Sequence, residues 1–168
     1  MKLYDYWRSS AAFRIRIALN LKGLEAEREY VHLRRKEQSS DAYLAVNPQG
    51  LVPTLIDDDG TKVIQSMAIM EYLDERFPHP PLMPVDPVAR ANSRLFRYRI
   101  QRDIYSLVEE LNKSEGEVFA TAKKNLRDSL TDIAPIFGQT KYLISEDYSL
   151  VDCFLAPVLW RVNHYGIK

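Results

Sequence analysis

Apolar and polar residues follow two different rhythms along this chain, and the change falls at a cluster of prolines. Before it, residues 2–6 and 29–33 are short runs of strand character, and between them residues 12–21 carry Phe13, Ile17 and Leu21 at helical spacing. That order predicts a βαβ unit. Residues 52–56 and 62–64 then flank Asp57-Asp-Asp-Gly60, whose aspartates and glycine suit a hairpin turn, and a helix is expected over 67–76.

Five of the nine prolines fall between Pro78 and Pro87, where a helix cannot continue because proline lacks the N–H and clashes with the preceding turn. Beyond them the period is helical throughout. Ile100, Ile104, Leu107, Val108 and Leu111 form one amphipathic stripe, and Val118, Ala122, Leu126, Leu130, Ile133 and Phe137 a second. A third helix is announced by Ser149-Leu-Val-Asp152, in which the serine hydroxyl can accept from the third helical N–H and the aspartate can reach back to the serine N–H. The expected organisation is an α/β domain over 1–77, a proline-rich linker over 78–87 and an all-helical domain over 88–168.

With 168 residues, 46% of them apolar, the chain is long enough to bury a core without a metal or disulfide. Cys153 is the one cysteine, so no internal disulfide can form. This usage, with no apolar leader after Met1, leads us to expect a reducing, cytoplasmic setting. No apolar run reaches membrane-spanning length. Lys+Arg and Asp+Glu number 23 each, which disfavours direct nucleic-acid binding, since displacing counterions from phosphates calls for a basic excess. His32, His79 and His164 show no metal-ligand spacing with one another or with Cys153, so no metal is expected.

The candidate chemistry starts where the first strand feeds the first helix. Ser9 and Ser10 stand there beside N–H groups that have no intrahelical partner and beside the positive end of the helix dipole, a setting that favours anions. A serine at this turn also has a purely structural use as a cap. Pro53 opens a strand, and Gln65-Ser66 precedes another helix start, which again offers N–H groups and a hydroxyl to an anion.

The run YWRSSAAFRIRIAL at residues 6–19, with NPQGLVPTL at 47–55 and IQSMAI at 64–69, resembles the glutathione transferase superfamily, and within it the zeta class of maleylacetoacetate isomerases. The resemblance implies a thioredoxin-like N-terminal domain and an all-α C-terminal one, in a C-terminally short form because both families it touches continue beyond Lys168. It implies that Ser9 donates its hydroxyl to the sulfur of glutathione, with Ser10 beside it. It further implies a backbone pairing at Val52 before a cis Pro53, a carboxylate held by Gln65 and Ser66, and a further glutathione contact at Gln38. Alanine stands at position 11, where the zeta pattern commonly has cysteine, so any reactive sulfur must come with the ligand. His164 falls where that class uses an arginine to hold the substrate carboxylate, with Arg161 a turn earlier as its substitute. The activity implied is a glutathione-dependent transferase or isomerase acting on a small electrophile.

EYLDERFPHPPLMPV at 71–85 and YSLVDCFLAPVLW at 148–160 resemble a second group, the stringent starvation protein A family. That likeness implies a non-catalytic regulator associated with RNA polymerase, with Pro78, His79 and Pro80 as its partner surface. Either resemblance implies a homodimer. Arg90, Arg94, Arg97, Arg99 and Arg102 read as a solvated basic face, with a docking site for an acidic partner as the alternative, Tyr4 and Tyr6 as core or strand-face packing, and Cys153 as buried and inert.

Overall fold

The computed structural model describes residues 1–167, and the chain divides into two compact units, Met1–Pro81 and Leu82 onward. In the first unit, β1 (Lys2–Asp5), α1 (Ser10–Leu21), β2 (Glu27–Tyr30), α2 (Asp41–Val46), β3 (Thr54–Ile56), β4 (Lys62–Ile64) and α3 (Ser66–Arg76) follow in order. The sheet runs β2-β1-β3-β4; β1 and β2 are parallel, and β3 is antiparallel to both β1 and β4.

Period-two alternation on β1 sends Leu3 to one face, where it meets Leu55 across the β1–β3 pair, and Tyr4 to the other. Leu3, Ile15, Leu55, Ile69 and Leu73 are wholly buried, each stabilising the fold by about 1.5–3 kcal/mol relative to exposure. On the opposite face Tyr4 meets Tyr43 of α2 edge-on at 5.5 Å, beside Tyr6, Val31 and Val52.

Three expectations are corrected. The second strand begins and ends earlier than 29–33, because the ladder with β1 fixes Lys2 opposite Glu27 and Asp5 opposite Tyr30. The core face of α1 is Ala12, Arg14, Ile15, Ala18 and Leu19, whereas Phe13, Ile17 and Leu21 are half-buried. Helix α2, capped by Ser40, interrupts the simple β-α-β, β-β-α order.

The second unit contains α4 (Pro87–Arg99), a π-helical segment (Ile100–Tyr105), α5 (Ser106–Lys113), α6 (Gly116–Ile133) and α7 (Leu150–Arg161). Asp86 caps α4 by accepting from Ala89 N at 2.8 Å, with Pro87 at the first position, where its missing N–H costs nothing. Ile100, Ile104, Val108 and Leu111 are buried, as the first stripe predicts. Of the second stripe Ala122 and Leu126 are buried, but Val118 and Phe137 at its ends are exposed. Tyr105 ties the π segment to α7, donating to Phe154 O at 2.9 Å.

At the start of α7, Ser149 Oγ accepts from Val151 N at 3.2 Å and Asp152 accepts from Ser149 N at 2.8 Å. Cys153 is buried on this helix, and Arg97 on α4 is buried rather than part of a solvated basic face.

Candidate functional site

Ser9 is the N-cap of α1: its backbone is extended, and its Oγ accepts from Ala12 N at 3.2 Å. That bond uses a lone pair of the hydroxyl and leaves its proton to be donated elsewhere. Ser10 begins the helix, and both serines are half-buried.

A second hydroxyl is arranged in the same sense. Arg14, on the next turns of α1, is almost entirely buried and donates from Nη1 to Ser66 Oγ at 3.0 Å. Ser66 is the first residue of α3, so a guanidinium lies behind the positive end of that helix. As at Ser9, the hydroxyl accepts from within the protein and keeps its own proton to give away. Gln65 before it has φ +70°, a left-handed conformation costly for a residue with a Cβ, and its Nε2 donates to Gln49 Oε1 at 2.7 Å.

Between the two helix starts lies the loop ending in Val52 and Pro53, both buried, with the peptide between them cis. Tyr43 and Asn47 hold this loop: Tyr43 donates to Leu51 O at 2.7 Å, and Asn47 Nδ2 donates to Leu51 O at 2.9 Å and to Thr54 Oγ1 at 3.0 Å. Burial pushes the Tyr43 phenol up from its ordinary pKa, which keeps it a donor. Gln38 is half-buried, and its Oε1 has no protein partner. Its carbonyl lies so close to Gly50, at φ +61°, that a Cβ there would come within 3.0 Å of it.

An unbroken series of contacts therefore runs from Gln38 to Gly50, Gln49, Gln65, Ser66 and Arg14, and along α1 to Ser9. Arg14 and Gln49 escape a reading of the sequence. The one signal for Arg14 is a charge set among the apolar positions of α1.

The remaining candidates lie elsewhere. Pro78, His79 and Pro80 are exposed at the far end of the first unit, with the His79–Pro80 peptide cis. Arg161 ends α7, half-buried, and His164 is exposed on the following turn with its ring 5.6 Å from that of Tyr165; both belong to the second unit. Beside Ser9, the exposed Trp7 carries the Arg8 guanidinium 5.4 Å from its ring centre. No helix among the described residues is long and apolar enough to cross a membrane.

Comparison with known proteins gives two groups of relatives. Residues 1–75 match the family described as glutathione S-transferase, N-terminal domain. A stringent starvation protein A homolog of Pasteurella multocida is 47% identical over 153 residues, covering 91% of this chain and 70% of the relative. Maleylacetoacetate isomerase of Pseudomonas aeruginosa is 36% identical over 177 residues, covering 99% and 84%. Among solved structures, maleylacetoacetate isomerase of Methylobacterium extorquens AM1 with bound malonate and glutathione superposes with a TM-score of 0.84 at 34% identity, covering 100% of this chain and 85% of that one.

Proposed function

The chain belongs to the glutathione transferase superfamily, and from that premise we propose that its first unit binds glutathione and uses it in transfer to, or isomerisation of, a small electrophile. The observation that carries this reading is the shared sense of two hydroxyls. Ser9 accepts from Ala12 N and Ser66 accepts from Arg14, so each keeps its proton to donate at the positive end of a helix. Ser66, the first N–H groups of α3 and the guanidinium behind them suit a carboxylate, with Gln65 beside it. Ser9 and the start of α1, with Ser10 as its first residue, suit a sulfur anion.

Bound glutathione supplies a nucleophilic thiol whose ordinary pKa lies near about 8.5. The role of Ser9 is to donate to the thiolate and so raise its share at neutral pH. Val52, presented by the loop that ends at Pro53, pairs its backbone with the tripeptide, and Gln38 contributes a polar side chain with spare acceptor capacity. Arg161 and His164 are the proposed carboxylate contacts of the second unit. The setting is a reducing cytoplasm, and the assembly a homodimer, which the exposed Val88, Leu95 and Tyr98 along α4 support. Calorimetric titration of glutathione tests the reading: we expect binding that weakens in Ser9→Ala and Ser66→Ala, and absence of heat with the unaltered chain overturns it.

A second reading is favoured by a separate observation. The stringent starvation protein A homologs reach 47% identity, and the Pro78–His79–Pro80 turn stands exposed. On this reading the chain docks on RNA polymerase through that turn. Capture of the polymerase should then be lost in His79→Ala and indifferent to Ser9→Ala.

A further inference from the structure

Lys22 closes α1, and its side chain is wholly buried, an uncommon place for a lysine. An ammonium has three N–H donors. Here it faces Asp74 Oδ1 at 2.7 Å, Phe77 O at 2.7 Å and Pro80 O at 2.8 Å. The two carbonyls bracket the exposed Pro78–His79–Pro80 turn.

The need for such a cation is written in the local sequence. Pro78, Pro80 and Pro81 have no N–H, and the N–H of Phe77 already bonds Leu73 O to finish α3. His79 alone carries an amide between positions 78 and 81, so the turn has almost no backbone donors with which to bridge itself. Lys22 supplies donors from another helix. Its charge lies at the negative end of α3 and is matched by Asp74, which offsets the cost of burying it.

We infer that Lys22 is a positioning residue for the Pro78–His79–Pro80 surface, holding it in one shape so that a partner meets a preorganised knuckle; this rests on the polymerase-docking reading above. A partner that binds a turn already fixed at both ends need not pay for ordering it. Because α1 carries Ser9 at its other end, the same variant can be scored for two separate surfaces.

The test measures affinity for purified RNA polymerase and for glutathione in the unaltered chain, in His79→Ala, in Lys22→Met and in the paired Lys22→Met/Asp74→Leu, which removes both charges and avoids stranding Asp74. The expected result is a loss of about tenfold or more in polymerase affinity for both Lys22 variants, with glutathione affinity and the cooperative thermal transition of the paired variant kept. If His79→Ala loses the polymerase while the paired variant binds it as the unaltered chain does, Lys22 has no positioning role. If the unaltered chain does not bind, or His79→Ala binds equally well, the docking reading falls and takes this inference with it. One measurement needs no variant: at neutral pH the Lys22 ammonium should give a slowly exchanging nitrogen-15 signal coupled to the carbonyls of Phe77 and Pro80. A fast-exchanging ammonium overturns the inference.

Discussion

Arg14 and Ser66 stand 52 positions apart in the chain, yet the guanidinium of one donates to the hydroxyl of the other at 3.0 Å in the buried seam between α1 and α3. The bond occupies a lone pair of the Ser66 hydroxyl and leaves its proton to be donated elsewhere. It also places a permanent positive charge behind a helix start that already favours anions.

Replacing Arg14 by Met removes that charge while keeping most of the volume. Glutathione affinity should fall about tenfold or more, the range of one lost charge-assisted hydrogen bond or larger. Calorimetry reads it directly, and an unchanged dissociation constant would show that the guanidinium serves packing alone.

Ser9→Ala should act on two quantities. The helix loses its cap, worth about 1 kcal/mol in chemical denaturation. The bound thiol loses a donor to its anion, so the pH at which ultraviolet thiolate absorbance is half-developed should rise toward the free value near about 8.5. A titration curve that does not move would confine Ser9 to capping.

Asp57 follows β3, and its buried carboxylate accepts from Tyr72 at 2.5 Å and from Asp58 N at 2.8 Å, with the Arg76 guanidinium 3.6 Å away. The Tyr72 hydrogen bond, aided by that amide and by Arg76, holds the carboxyl below its ordinary pKa. A depressed folded value means stability that is present above the unfolded pKa near about 3.9 and lost as pH falls through the folded one. Tyr72→Phe should therefore cost about 1–2 kcal/mol near neutrality, and the gap to the unaltered chain should close as pH falls through the depressed folded pKa of Asp57. Urea titrations across that range provide the check, and a gap independent of pH would contradict it.

In the second unit Asp152 accepts from Leu143 N at 3.0 Å, Ser149 N at 2.8 Å and Ser149 Oγ at 2.9 Å. Asp152→Ala strands these buried donors and should cost about 3 kcal/mol or more. Ser149→Ala removes the cap and one of the three donors to Asp152 but strands no carboxylate-bound amide, and should cost less, about 1–2 kcal/mol. Thermal denaturation would show the ranking, and equal losses would mean that Asp152 does no more than cap.

The parts of the fold that a sequence reveals are those written in local chemistry. The serine caps, the Asp-Asp-Asp-Gly hairpin and the apolar stripe from Ile100 to Leu111 need only their neighbours to be recognised. Helix α2 has only six residues, too few to develop a helical period. Strand β2 is at the sheet edge with every side chain exposed, so no alternation marks it, and apolar Val31 and Leu33 draw the eye past its end. Candidate residues divide in the same way. Ser9 and Ser66 are visible as helix starts, but Arg14, Gln49 and Lys22 take their meaning from partners 52, 16 and 52 to 58 positions away.

Helix α1 is a strut of 12 residues, some 18 Å long, with a capping hydroxyl at its head and a buried ammonium at its foot. Mutations along its shaft will be pleiotropic: a tilt large enough to spoil one end must disturb the other. Genetic screens scored on thiol chemistry and on polymerase capture should thus find overlapping hits along the middle of this helix and separate ones at its tips.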